Sequence, residues 1–146
     1  MADEVVARGY RGEIYASYVS DGASSHFTHT PDEYAAQAAA LRARVGEWLP
    51  ADRSAPVLDI GCGSGYFLHL LDELGYTDVT GVDVSPEQVE IARKNCPRAT
   101  VLLGDARELL KANPGRFQLI TGFDFVEHFG KDELFPLLDV VVAALR

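Results

Sequence analysis

Nine consecutive residues limit the possible folds of this chain more than any other stretch: Val57-Leu58-Asp59-Ile60-Gly61-Cys62-Gly63-Ser64-Gly65. A short apolar run followed by three glycines at alternate positions reads as a buried strand and a sharp turn. Tyr66 to Leu74, stopped by Gly75, then reads as a helix. A strand, a glycine-rich turn and a helix, in that order, bring backbone N–H groups to the carboxyl edge of a sheet. Glycines let the chain turn sharply there and let a ligand touch the backbone. A dinucleotide site wants G-x-G-x-x-G. Here the third glycine comes one place early and Tyr66 takes the place that pattern gives to glycine, which counts against a nicotinamide-dependent oxidoreductase. A tight strand–helix turn with no ligand is the bland alternative, but three glycines behind Asp59 are more than a turn needs.

The rest of the chain repeats the alternation. Val79 to Val84 reads as a second strand, Ala99 to Leu103 as a third and Phe117 to Phe123 as a fourth. The helices between them run from Pro86 to about Asn95 and from Ala106 to Ala112, with a last one from Asp132 to Leu145. Ser85-Pro86-Glu87-Gln88 resembles a capping box with proline at the first helical position. Upstream, Thr30-Pro31-Asp32-Glu33 looks like a helix start, and Leu41, Val45, Trp48 and Leu49 recur at helical spacing, so a helix is expected over 32–49. Alternating strands and helices imply βαβ units with right-handed crossovers. The fold expected is therefore α/β: a doubly wound, mainly parallel sheet with helices on both faces. Residues 1–50 are read as an N-terminal arm and helix forming a substrate or cap region, and 51–146 as the ligand-binding core.

Three further stretches fall at the carboxyl edge of such a sheet. Asp83 in Gly81-Val82-Asp83-Val84-Ser85 ends the second strand, 22 residues after Gly61. An acid at that place can accept both hydroxyls of a ribose. Asp105, after the third strand in Leu103-Gly104-Asp105-Ala106, can accept an amino-group proton from a purine or cap the next helix. The stretch Thr121-Gly122-Phe123-Asp124-Phe125-Val126-Glu127-His128-Phe129 brings two acids, an imidazole and three aromatics. Either Glu127 or His128 could take a proton there.

Together the four stretches VLDIGCGSG, GVDVS, GDA and FDFVEHF resemble, in order and spacing, the class I S-adenosylmethionine-dependent methyltransferases, over about Val57 to Leu145. The resemblance implies S-adenosylmethionine as cofactor, S-adenosylhomocysteine as product and a Rossmann-like core. Carried over by position, Asp59 and the turn Gly61, Cys62, Gly63 and Gly65 would hold the methionine part. Asp83 would bind the ribose, Val84 would pack on adenine, and Asp105 with the Ala106 N–H would meet the adenine edge. The segment from Phe123 to His128 would face the sulfonium and the acceptor. Where an oxygen or nitrogen acceptor needs a base, the candidates are Glu127, His128, His26 and His29, in that order. The arm's tyrosines (Tyr10, Tyr15, Tyr18) are similar to those of methyltransferases acting on small molecules, including sugar and surface-polysaccharide precursors. The family's sheet usually has seven strands in the order 3-2-1-4-5-7-6, and four are read here. A longer enzyme cut short is the expectation, ahead of two chains pairing at the fourth-strand edge or a different edge solution. A non-catalytic module that binds the cofactor or its product is the alternative.

Composition narrows the partners. Thirteen basic against 22 acidic residues leave a formal charge of −9, a poor match for nucleic acid or an anionic membrane. Cys62 and Cys96 form neither a CxxC pair nor a disulfide framework. The acidic N-terminus has no apolar stretch behind it, so a reducing, cytoplasmic setting is expected. No metal is expected: His26 and His29, three apart with Asp32 and Glu33 close by, read as solvated or substrate-facing.

Overall fold

The computed structural model describes residues 29–146. Among the described residues, nine α-helices and strands follow one another: α1 (Pro31–Val45), β1 (Val57–Ile60), α2 (Tyr66–Glu73), β2 (Val79–Asp83), α3 (Pro86–Asn95), β3 (Thr100–Leu103), α4 (Ala106–Ala112), β4 (Leu119–Thr121) and α5 (Lys131–Ala144). The strands form one sheet in the order β3-β2-β1-β4. All three pairings are parallel, with Val57 opposite both Val79 and Leu119. A parallel sheet needs a crossover between neighbours, and the helices provide it.

β1 lies inside the sheet and all four of its residues are buried. Its side chains alternate between two cores. Val57 joins Ala38, Phe67, Leu68, Leu71, Val89 and Ala92 on the face covered by α1, α2 and α3. Leu58 and Ile60 join Ala106, Leu110, Leu137 and Ala144 on the face covered by α4 and α5. The doubly wound expectation holds.

Local chemistry sets the helix starts. The Thr30 side chain accepts from the Glu33 N–H, with Pro31 in the first turn. The Ser85 hydroxyl accepts from the Gln88 N–H, with Pro86 beside it. Asp105 accepts from the Arg107 N–H at 2.8 Å. At the end of α1 the structure departs from the sequence reading. The α-helix stops at Val45, and Gly46–Trp48 tightens into a 3-10 turn that leaves Trp48 78% exposed. Gly46 weakens the last turn, and Pro50 forbids the helix from passing Leu49. The fourth strand is also shorter than the expected 117–123. Phe117 is taken up instead by the end of α5: its N–H donates to Ala144 O, and Arg146 N–H donates back to Phe117 O at 2.9 Å. Among the described residues, β4 and β3 are the outer strands of the sheet.

Candidate functional site

The carboxyl ends of β1, β2, β3 and β4 all open on one edge, and the four stretches singled out in the sequence meet there. The glycine turn takes three left-handed residues: Gly61 at φ +67°, Gly63 at +53° and Gly65 at +91°. Its entry is tied to β2, because the Gly61 and Cys62 N–H groups both donate to Val82 O, at 2.8 and 3.0 Å. Its middle is tied to Asp83, whose Oδ2 accepts from Gly63 N–H at 2.9 Å. The other oxygen, Oδ1, accepts from Ser85 N–H at 2.9 Å. A Cβ on Gly63 would meet only Gln88 Oε1, at 3.9 Å, so this glycine offers an open face.

Two acids lie side by side beneath the turn. Asp59 is 3% exposed, and Thr121 Oγ1 donates to its Oδ1 at 2.8 Å from β4. Burial pushes its carboxyl up to about 7, with the charge of Asp83 adding to this and the Thr121 bond opposing it. Asp83 is likewise raised, by burial first. The N–H groups of Ser85, Gly63 and Val84 counter that, and so does the imidazole of His128. Apart from the His128 imidazole, the groups that act on this pair are neutral donors and the two acids themselves, so a cationic ligand is what the acids would favour.

The remaining predicted positions fall as follows. Val84 is half-buried just past β2 and Ala106 is buried in the first turn of α4. Asp105 caps that helix and also holds the Arg107 side chain through Nε and Nη2, at 3.1 and 2.6 Å. Burial would raise its carboxyl, but the Arg107 bonds outweigh that and hold it below the usual range. A ligand amino group would share Asp105 with Arg107. Cys62 turns its thiol into the core: a Cβ on Gly81 would lie 2.9 Å from its Sγ. The thiol is 7% exposed and burial pushes it up, with Asp59 and Asp83 adding to the effect. Only the backbone of Cys62 is left to face a ligand. Phe123 packs on Phe67 with ring centres 5.1 Å apart.

Glu127 and His128 lie exposed on a 3-10 turn (Val126–His128) that the sequence reading missed. Asp124 enters it with φ +49°, which directs the Phe125 ring against Gly61. His29 also holds a left-handed backbone, φ +54°, and its N–H donates to Glu33 Oε2 at 2.7 Å. Its ring stacks over Tyr66 at 6.3 Å. His26 lies outside the described residues, as do the arm's three tyrosines. Among the described residues, no group of three or more metal-ligating side chains gathers, and no helix is long and apolar enough to cross a membrane.

Two residues at this edge have no site role in the sequence, Tyr34 and Gln88, and two more, Thr121 and Phe125, stand in the fourth stretch without a role of their own. Tyr34, 2% exposed on α1, donates from its hydroxyl to Ser64 O inside the glycine turn at 2.5 Å. Its ring packs on Tyr66 and His69. Nothing in the local sequence marks a tyrosine thirty residues before the turn as its anchor. Thr121 heads the fourth stretch, where the sequence alone gives it no partner. Its spacing from Asp59 becomes informative only once β1 and β4 are known to pair.

Comparison with known proteins adds the following. A family model described as a methyltransferase domain matches residues 57–146. A ubiquinone biosynthesis O-methyltransferase of Xanthomonas campestris pv. campestris is 33% identical over 78 residues, covering 51% of this chain and 32% of that protein. A ribosomal protein L11 methyltransferase of Laribacter hongkongensis is 45% identical over 51 residues, covering 34% of this chain and 17% of that protein. The crystal structure of a SAM dependent methyltransferase from Archaeoglobus fulgidus superposes with a TM-score of 0.62 at 31% identity, over 75% of this chain and 48% of that one. The chain thus spans about a third of the length of the first of these curated relatives, and less of the second.

Proposed function

We propose a reaction for this chain from one premise: it belongs to the methyltransferase domain family that matches residues 57–146, and its cofactor is S-adenosylmethionine. The reaction is methyl transfer to a small-molecule acceptor. The carrying observation is the buried Asp59 and the half-buried Asp83, set at a left-handed glycine turn whose middle N–H is clasped by Asp83. The open face of Gly63, a backbone rich in donors and two acids opposed only by neutral donors and one imidazole fit a ligand that carries hydroxyls and positive charge. Bound S-adenosylmethionine supplies a methyl group already activated on a sulfonium.

The chain's own part is mainly to hold and align. Asp59 and the turn from Gly61 to Gly65 hold the methionine end, and Asp83 holds the ribose. Val84, Asp105 and Ala106 border the adenine, and Phe123 walls the acceptor side. Glu127 or His128 accepts the proton of an oxygen or nitrogen acceptor, with His29 as the further candidate. The imidazole of His128 is among the groups that counter the raising of the Asp83 carboxyl, which supports its place on the same side as the acids. α1, packed on the glycine turn through Tyr34, supports the reading of residues 1–50 as a cap.

Small-molecule acceptors, among them sugar and surface-polysaccharide precursors, are favoured by the charge of −9, which disfavours nucleic acid. A relative named for O-methyl transfer in ubiquinone biosynthesis points the same way. Two buried free cysteines suit the proposed cytoplasmic setting. The test is calorimetric titration with S-adenosylmethionine and S-adenosylhomocysteine, with NAD as control. Saturable binding of the first two alone is expected, weakened at least about tenfold by Asp83→Ala, as expected for a charged hydrogen-bond partner. Unchanged affinity in that variant would remove Asp83 from the site.

A further inference from the structure

Gln88 is a buried polar side chain that the assignments above leave without a task. It stands in the first turn of α3 and is 7% exposed. Its carboxamide oxygen Oε1 is buried and accepts no hydrogen bond among the described residues. A buried acceptor with no donor costs folding free energy, and an apolar side chain of the same length would avoid that cost. The oxygen lies 3.9 Å from the place a Cβ would take on Gly63. Gly63 is also the residue whose N–H is held by Asp83. Gln88 and Asp83 therefore both adjoin the open middle glycine of the turn.

The neighbourhood gives the oxygen a purpose. An ionised carboxylate has about four acceptor directions. Asp83 spends one direction of each oxygen on the N–H groups of Gly63 and Ser85, each at 2.9 Å. A ribose diol presents two O–H donors, and the unpaired Gln88 oxygen is a further buried acceptor beside the same open glycine. We propose that Gln88 Oε1 accepts the second hydroxyl, so that the cofactor's diol is divided between Asp83 and Gln88. This rests on the cofactor reading above and adds to it a positioning residue that sets selectivity for the ribose. The cost of the unpaired oxygen in the empty chain is recovered when the hydroxyl arrives.

The test uses Gln88→Met, which keeps the length and removes the acceptor. Two properties are measured: the denaturant stability of the ligand-free chain, and the calorimetric affinity for S-adenosylhomocysteine and for its 2′-deoxy and 3′-deoxy analogues. The variant should be at least as stable as the parent, because an unpaired buried acceptor is gone. Its affinity for S-adenosylhomocysteine should fall about three- to tenfold, the range for one hydrogen bond. The loss should vanish for one of the two deoxy analogues. Gln88→Glu, which keeps an oxygen acceptor, should retain the discrimination between hydroxyl and deoxy ligand that Gln88→Met loses. Equal affinity in parent and Gln88→Met, or an equal loss on all three ligands, overturns the proposal. So does a destabilised or unfolded Gln88→Met, since the carboxamide would then be holding the fold. Failure of the parent chain to bind S-adenosylhomocysteine at all strikes the cofactor reading itself, and this inference falls with it.

Discussion

Replacing Asp59 by Asn removes a buried charge with little change of shape. Asp59 is 3% exposed, and its carboxyl is displaced from 3.8 to about 7, chiefly by burial. The folded chain therefore holds this proton more tightly than the unfolded chain does. The stability linked to the protonated form is fully present below about pH 4. It is lost progressively as pH rises through the folded value, and above about pH 7 the loss is complete. Three pH units at about 1.36 kcal/mol each set a ceiling of about 4 kcal/mol on that loss. This is a large share of the roughly 5–15 kcal/mol that holds an ordinary domain together. The Asp59→Asn variant has no such dependence. Its stability relative to the parent should therefore rise by about 2–4 kcal/mol between pH 4.5 and pH 8, read by urea unfolding of both ligand-free chains. Cofactor affinity should behave in the opposite way. The ammonium and sulfonium of S-adenosylmethionine favour an ionised Asp59, so parent affinity should increase over the same range while the variant's stays flat. A parent–variant stability difference that does not move with pH, or one that moves in the parent's favour as pH rises, would refute the argument that burial governs this carboxyl.

Two further substitutions test the geometry of the turn. Gly61→Ala puts a side chain on a φ of +67° and a Cβ 2.5 Å from Phe125 Cδ2. It should cost about 1–2 kcal/mol from the backbone alone, with more from displacing the ring, read as a lowered Tm and weaker cofactor binding; a wild-type Tm would mean that the loop after β4 yields freely. Tyr34→Phe leaves the ring stack on Tyr66 but strands the buried Ser64 carbonyl, and should cost about 1–3 kcal/mol by denaturant unfolding. A cost near zero would show that α1 does not anchor the turn.

Much of this fold was legible because its signals are local. Capping at Thr30, Ser85 and Asp105, proline in the first turn of α1 and α3, and apolar runs ended by glycine each act within a few residues. They located nearly all the elements to within a residue or two. What stayed hidden depends on partners distant in sequence. Phe117 is apolar and looked like strand, but the end of α5 takes its hydrogen bonds, a fact carried by residues 144–146. Trp48 kept the helical period of α1, yet Gly46 ends the α-helix before it, and 78% of its surface is left exposed. The same division runs through the candidate site. Asp59, Asp83 and the glycines announce themselves by spacing after a strand. Tyr34, Thr121 and Gln88 act across 30, 62 and 25 residues of sequence respectively, on Ser64, Asp59 and Gly63, and no short window contains both partners.

The distribution of unpaired polar groups carries the functional argument one step further. Away from the carboxyl edge, charged groups are matched: Arg116 with Asp78, Arg98 with Asp72, and Arg53 with Tyr76 and the Pro50 carbonyl. At the edge, burial works against two neighbouring carboxyls, Gln88 Oε1 lacks a donor, and Asp124 holds a left-handed backbone. Each of these costs the empty chain something, and they cluster around one turn. A ligand with two hydroxyls and positive charge answers the first two together: its donors reach Asp83 and Gln88, and its cations favour ionised Asp59. The instability of the empty site and its affinity for such a ligand then have one cause. Substitutions that relieve the first, Asp59→Asn and Gln88→Met, are for that reason expected to weaken the second.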